Sequence, residues 1–313
     1  MKYFKKLLSL SILFYLVFSC KKAEELNANL IKSWDLKESW VISAAQAISL
    51  IENKAILLDA RDEKLRLSSP RKNAVVIDWL SLSQTEPNLK GRLKSSKEIL
   101  DSIEKIGINL NTVVIVLGDP LSGWGEEGRI VWSLRSLGHK HSYFVDGGVQ
   151  ALEAFEKIAT KENTKINLEV KSDSNTVFQP TEKFSTDVDK VKESLKQEKG
   201  YSFIDAREER EFKGETPYGE QRGGHLPNAK WIYYKSFLTT DGFIKTKEDV
   251  LSLLSSKGIS PNDRITSYCT GGVRSAWLTS VLVSYGLEAN NYAGSMWEWS
   301  SLNKKDYPLV LEK

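Results

Sequence analysis

Only two of the 313 residues are cysteine, Cys20 and Cys269. An exported protein held together by disulfides carries more of them, in even number after processing, so a disulfide framework is excluded. Charge of one sign is also lacking: 44 basic residues face 41 acidic ones, for a net charge of +3. The basic residues form no dense run and are not interleaved with aromatics, so the charge pattern gives no argument for a nucleic-acid partner, and none is expected. No low-complexity tract interrupts the chain, and 41% hydrophobic with 27% charged residues is a globular composition. The length suffices for two ordinary domains, each with its own core. The apolar run Leu7–Phe18 is too short for a comfortable membrane span.

That apolar run follows a basic stretch, Met1–Lys6, and precedes Ser19-Cys20, the layout of a secretory signal peptide. Val17-Phe18-Ser19-Cys20 resembles a bacterial lipobox, in which the cysteine is acylated after cleavage. The expectation is a signal peptide over 1–19, a lipid on Cys20, and a polar tether over 20–35. Such a protein would be anchored in the bacterial cell envelope and face away from the cytoplasm. An uncleaved signal anchor with an incidental cysteine is the alternative. With Cys20 acylated, Cys269 has no internal partner, and a lone thiol in an oxidising compartment risks overoxidation. Its retention there points to a use.

The remainder repeats itself. Leu57-Leu58-Asp59-Ala60-Arg61-Asp62-Glu63 returns as Phe203-Ile204-Asp205-Ala206-Arg207-Glu208-Glu209. Asn73–Ile77 parallels Asn228–Ile232, and Thr112–Leu117 parallels Arg264–Tyr268. Each of the latter strands leads through a glycine-rich loop into a helix, predicted over Arg129–Leu137 and Ser275–Tyr285 and closed by Gly138 and Gly286. Tyr143–Gly148 mirrors Tyr292–Ser295. Nearly constant spacing across several elements marks a diverged duplication. Apolar strands alternating with helices indicate α/β units around parallel sheets. The expected layout is one domain over 36–160, a polar linker over 161–180 that packs along the surface, and a second domain over 181–313.

Chemistry is concentrated in Cys269-Thr270-Gly271-Gly272-Val273-Arg274, between a buried strand and a helix. Two glycines let the backbone curl so that several N–H groups face one concave site, and the helix directs its positive end there. That environment lowers a thiol pKa and favours the nucleophilic thiolate. Arg274 adds a fixed charge toward the loop or an anionic substrate. A buried structural cysteine is the bland alternative, but packing gives no reason for the two glycines.

Together with Asp205-Ala206-Arg207, Gly223-Gly224-His225-Leu226-Pro227-Asn228-Ala229, Gly294-Ser295 and Glu298-Trp299, this loop resembles the tandem-domain rhodaneses, the thiosulfate and 3-mercaptopyruvate sulfurtransferases. The resemblance covers residues 36–313. It implies two rhodanese-like α/β domains, each a central mostly parallel sheet flanked by helices, with the first inactive and the second catalytic. The first copy has Gly118-Asp119-Pro120 where the second has Cys269. The resemblance further implies a Cys269 persulfide, a small anionic sulfur donor, a thiol or cyanide acceptor, and neither metal nor organic cofactor. Trp124 and Arg129 of the first copy are within possible reach of the site, or are ordinary packing and surface residues.

Thr270-Gly271-Gly272 looks like the mercaptopyruvate group, but Arg274 stands where that group has a hydroxyl residue. The family's substrate-binding arginine before an aromatic is replaced by Glu211 before Phe212, with Arg210 one position earlier. Arg210, Arg222 and Arg274 are the candidates for substrate binding. Met296 stands where the family has tryptophan, with Trp297 beside it. Asp205, Arg207 and His225 read as structural support. A phosphatase loop would place five residues between Cys and Arg; four stand here, a tighter ring suited to a single sulfur. The non-enzymatic alternative is an envelope-anchored sulfur carrier or interaction module.

Overall fold

The structure, a computed structural model, describes residues 24–162, 168, 179–197 and 199–311. The leader and Cys20 lie outside the described residues. No helix among the described residues is long and apolar enough to cross a membrane.

Two five-stranded parallel sheets repeat one design. In the first half, β1 (Val41–Ile42), β2 (Ile56–Asp59), β3 (Val75–Val76), β4 (Val114–Leu117) and β5 (Ser142–Val145) lie in the order β1-β5-β4-β2-β3. In the second, β6 (Ser185–Thr186), β7 (Tyr201–Asp205), β8 (Lys230–Trp231), β9 (Arg264–Tyr268) and β10 (Ala289–Tyr292) lie in the order β6-β10-β9-β7-β8. The register repeats too: Asp59 pairs with Leu117 as Asp205 pairs with Tyr268. The α/β duplication read from the sequence is therefore the fold. Central β4 is buried at every position because helices cover both faces of its sheet.

The two central helices decide how the halves meet. Helix α5 (Glu126–Ser136) follows β4, and α10 (Val273–Ser284) follows β9. Every residue of α5 is buried, as is α10 from Val273 to Leu282, because the helices pack on their own sheets and on each other. Gly128 allows the close approach; a Cβ there would meet Trp277 Cα at 2.5 Å. One hydrophobic core consequently runs through both halves, joining Leu58, Val116 and Trp132 to Ile204, Ile265 and Trp277. Polar seams accompany it: Ser280 Oγ donates to the Gly128 carbonyl (3.3 Å) and Tyr234 Oη to the Gly123 carbonyl (2.8 Å).

Several local expectations need correction. Both central helices begin two or three residues before the predicted starts, since Gly125 and Gly272 at the N-caps are left-handed and let the helix begin at once. The strands expected over Asn73–Ile77 and Asn228–Ile232 are two-residue edge pairings. The stretch read as a polar tether is ordered from residue 24 and packed from Leu30: residues 24–30 form α1, residues 24–28 are exposed, Leu30 is buried, and the Trp34 ring lies 5.3 Å from that of Tyr285 in the second half. The linker region begins inside α6 (Gly148–Glu162), and Leu168 is held on the first half by Ser49 Oγ and Asn53 Nδ2.

Candidate active site

Cys269 ends β9 and opens the loop into α10; it is 1% exposed. Gly272, at φ +78°, turns its N–H back so that it donates to Cys269 Sγ at 3.1 Å. Ser275 Oγ lies 3.4 Å from Sγ and 2.7 Å from Asn291 Oδ1, so one hydroxyl proton serves two acceptors. Asn291 Nδ2 in turn donates to the Gly272 carbonyl (3.2 Å).

The start of α11 (Ser295–Trp299) closes the other side. Ser295 Oγ accepts the Cys269 N–H at 3.1 Å, while the Met296 and Trp297 amides donate to the Cys269 and Thr270 carbonyls at 3.1 and 2.9 Å. This is the physical content of the Gly294-Ser295 signature. Gly271 has no room for a side chain, because a Cβ there would overlap the Trp297 ring.

Arg274 is buried at the wall of the pocket beside Cys269, and its guanidinium is engaged by the protein itself. Its guanidinium makes a two-pronged ion pair with Glu211 (2.6 and 2.8 Å) and donates to Thr270 Oγ1 (2.7 Å). Glu211 is set by a capping box at the short helix α8 (Glu209–Phe212): its carboxylate accepts the Glu208 N–H at 3.1 Å, turning it toward Arg274. Burial would raise the Glu211 carboxyl, but Arg274 and Thr270 outweigh it and hold the group below its ordinary pKa. Burial likewise acts to raise the Cys269 thiol. The Arg274 charge, the Ser275 hydroxyl and the loop amides overcome that and lower it below its ordinary value of 9.0.

A pocket of about 290 Å³ opens onto the thiol. Its walls are Trp79, Trp124, Tyr218 and Trp297, with Glu126 on one side. Trp79, Trp124 and Glu126 come from the first half. Arg129, wholly buried, reaches further and donates to the Gly272 carbonyl (3.0 Å).

The other predicted residues fall elsewhere. Arg222 donates to the carbonyls of Trp299, Ser300 and Tyr307 and pins the carboxy-terminal segment. Arg210 is paired with Glu208 (2.7 Å) and Tyr218 Oη (3.1 Å), half exposed at the rim. Neither guanidinium joins the loop. Arg207 clasps Asp205 through two oxygens and donates to the Gly224 carbonyl, as Arg61 clasps Asp59 and donates to the Ser69 carbonyl. His225 stacks on Phe212 with ring centroids 3.6 Å apart. The side-chain hydrogen bonds of these residues stay outside the Cys269 loop. Sequence reading did not find Tyr218, Trp79 and Asn291, which lie far from the loop in the chain and belong to no motif, and it took Ser275 only as the start of the helix. Glu211 was noticed only as a departure from a pattern.

Residues 187–302 match the family model described as the Rhodanese-like domain. These residues form a rhodanese-like domain. The chain is 24% identical over 276 residues to a thiosulfate sulfurtransferase of Azotobacter vinelandii, covering 82% of this chain and 97% of that one. It is 28% identical over 221 residues to the sulfur carrier protein TtuD of Thermus thermophilus, covering 66% and 75%. Among solved structures, wild-type EanB superposes with a TM-score of 0.69 at 19% identity, over 89% of this chain and 70% of that one. This likeness extends the shared fold beyond the rhodanese-like domain into the first half. The relatives named as thiosulfate sulfurtransferases support sulfur transfer as the general activity.

Proposed function

We propose that the chain moves a sulfane sulfur from a small anionic donor such as thiosulfate to cyanide or a thiol, through a persulfide on Cys269. The observation carrying this reading is the thiol held in a cradle of N–H and hydroxyl groups beside Arg274, with its pKa lowered. The Sγ thiolate attacks the outer sulfur of the donor, the donor's S–S bond breaks, and sulfite leaves with the electron pair. The acceptor then attacks the outer persulfide sulfur, and Sγ departs as the thiolate. Loop amides that face a thiolate also suit the anionic persulfide. Exposure to thiosulfate should add about 32 Da, one sulfur atom, to the wild type and nothing to Cys269→Ser. An unmodified wild type, with mercaptopyruvate as well as thiosulfate, would refute the reading.

A 3-mercaptopyruvate donor is the second enzymatic reading, favoured by the Thr270-Gly271-Gly272 loop. The engagement of Arg210 and Arg222 elsewhere leaves its carboxylate without the expected partner. A carrier role is favoured by the depth of Cys269 and by the likeness to a sulfur carrier. It predicts a persulfide that forms but does not turn over with cyanide or small thiols. We also propose that Cys20 is lipidated and holds the protein on the outer side of a bacterial membrane. Radiolabelled palmitate should enter the wild type and not Cys20→Ala.

A further inference from the structure

The second half's own active-site cation is already spoken for. Arg274, whose charge helps lower the Cys269 thiol, is itself held in a closed, buried pair with Glu211. Arg129, from α5 of the first half, is different. It is 0% exposed, yet its hydrogen-bond acceptors are all neutral: the carbonyls of Gly272 (3.0 Å) and Gly91 (2.6 Å) and the Ser83 hydroxyl (2.9 Å). Its Nε has no partner. The guanidinium rests against the Trp132 ring, 4.7 Å from its centroid. A fully buried cation without a carboxylate is costly, and such a charge is retained where an anion balances it. Burial pulls the Arg129 pKa down to about 9, and Cys269 opposes that pull.

We infer that Arg129 is a positioning residue supplied by the first half: it provides the counter-charge for the Cys269 thiolate and persulfide and clamps the peptide whose N–H faces Sγ. The clamp is short. Arg129 Nη1 holds the Gly272 carbonyl, and the Gly272 N–H donates to Sγ at 3.1 Å. Gly91, whose carbonyl Arg129 also holds, lies against the same loop; a Cβ there would come within 2.9 Å of the Gly271 carbonyl oxygen. The half that lacks a nucleophile therefore completes the site of the half that has one.

The inference rests on the persulfide reading, but its test reads the thiol alone. The charged groups around Sγ are Arg274 with Glu211, Glu126 at the pocket wall, Glu220 beside Thr270, and the Asp205–Arg207 pair behind. None of them is altered in the experiment. Thiolate absorbance at 240 nm and iodoacetamide alkylation are followed against pH in the full chain, with Cys269→Ser as the blank. Arg129→Gln keeps a donor for Gly272 and removes the charge. Its titration midpoint should rise by about one unit, and alkylation at pH 7 should slow roughly tenfold. Arg129→Lys keeps the charge and should stay within about 0.3 unit of the wild type. An unchanged midpoint in a folded Arg129→Gln protein overturns the inference. So does a full-unit rise in Arg129→Lys, which remains decisive if the glutamine variant fails to fold. Absence of a sulfur adduct in the wild type, with the Arg129→Gln shift intact, would remove the persulfide reading and leave the positioning role standing.

Discussion

A methyl group at position 271 would land in the ring of Trp297, whose indole N–H is tied to the Tyr218 carbonyl at 2.9 Å and cannot easily yield. Gly271→Ala should therefore lower kcat/KM for sulfur transfer at least tenfold, about 1.4 kcal/mol or more, by shifting the loop amides off the sulfur. Steady-state kinetics alongside a melting curve separates this from unfolding. Glu211 poses the opposite problem, because its loss leaves Arg274 buried without its anion. Glu211→Ala should cost about 3–5 kcal/mol of stability, whereas replacing both partners by apolar residues of similar volume should cost far less. Chemical denaturation of the two single variants and the double variant measures the difference. Titration has a definite sign at this scale. The thiol is held below its ordinary pKa, so alkylation of Cys269 should climb with pH and reach half its plateau at a lower pH than for an ordinary cysteine.

Between elements, α5 and α10 are one solution used twice. Each follows a left-handed glycine, and the second helical residue is Glu127 in one and Arg274 in the other. The exchange of charge has consequences. Arg274 found Glu211, whereas Glu127 is buried beside Glu126, its Oε2 without a partner. Burial, reinforced by Glu126, pushes the Glu127 carboxyl up to about 8. In the unfolded chain the group ionises near 4.5, so between the two values the folded state binds the extra proton. Stability then falls as pH rises through that window. Glu127→Gln should flatten this slope and gain roughly 2–4 kcal/mol at pH 8 relative to pH 4.5. Urea unfolding at the two pH values checks it; a slope equal to the wild type's would refute the assignment.

For the whole molecule, the continuous core makes the halves interdependent. Residues 179–313 alone would expose Trp277 and Tyr234 and lose Arg129, Ser83 and the Gly91 strap from the loop. That fragment should bind a hydrophobic dye and lack a cooperative melt, while the intact chain unfolds in one transition. The ion pair between Arg92 and buried Glu298 points the same way, since separation strands a carboxylate next to the α11 segment that closes the site.

Much of this was legible in the chain. The spacing of two Asp-Ala-Arg strands and two glycine-opened helices determined a duplicated parallel α/β fold, because strand and helix periodicity are local properties. The Cys269 loop was equally plain, since two glycines after a cysteine have a backbone consequence that packing does not explain. The arginines were not legible. A guanidinium's role depends on which acceptor lies within reach, and reach is set by elements distant in sequence: Arg222 is consumed by carbonyls about 80 residues away, Arg274 by Glu211, 63 residues before it. Only the packing of α5 against α10 decided that Arg129 of the first half sits against the Cys269 loop of the second. Charge balance in a buried site is a property of three-dimensional neighbours, and the order of residues along a chain does not contain it.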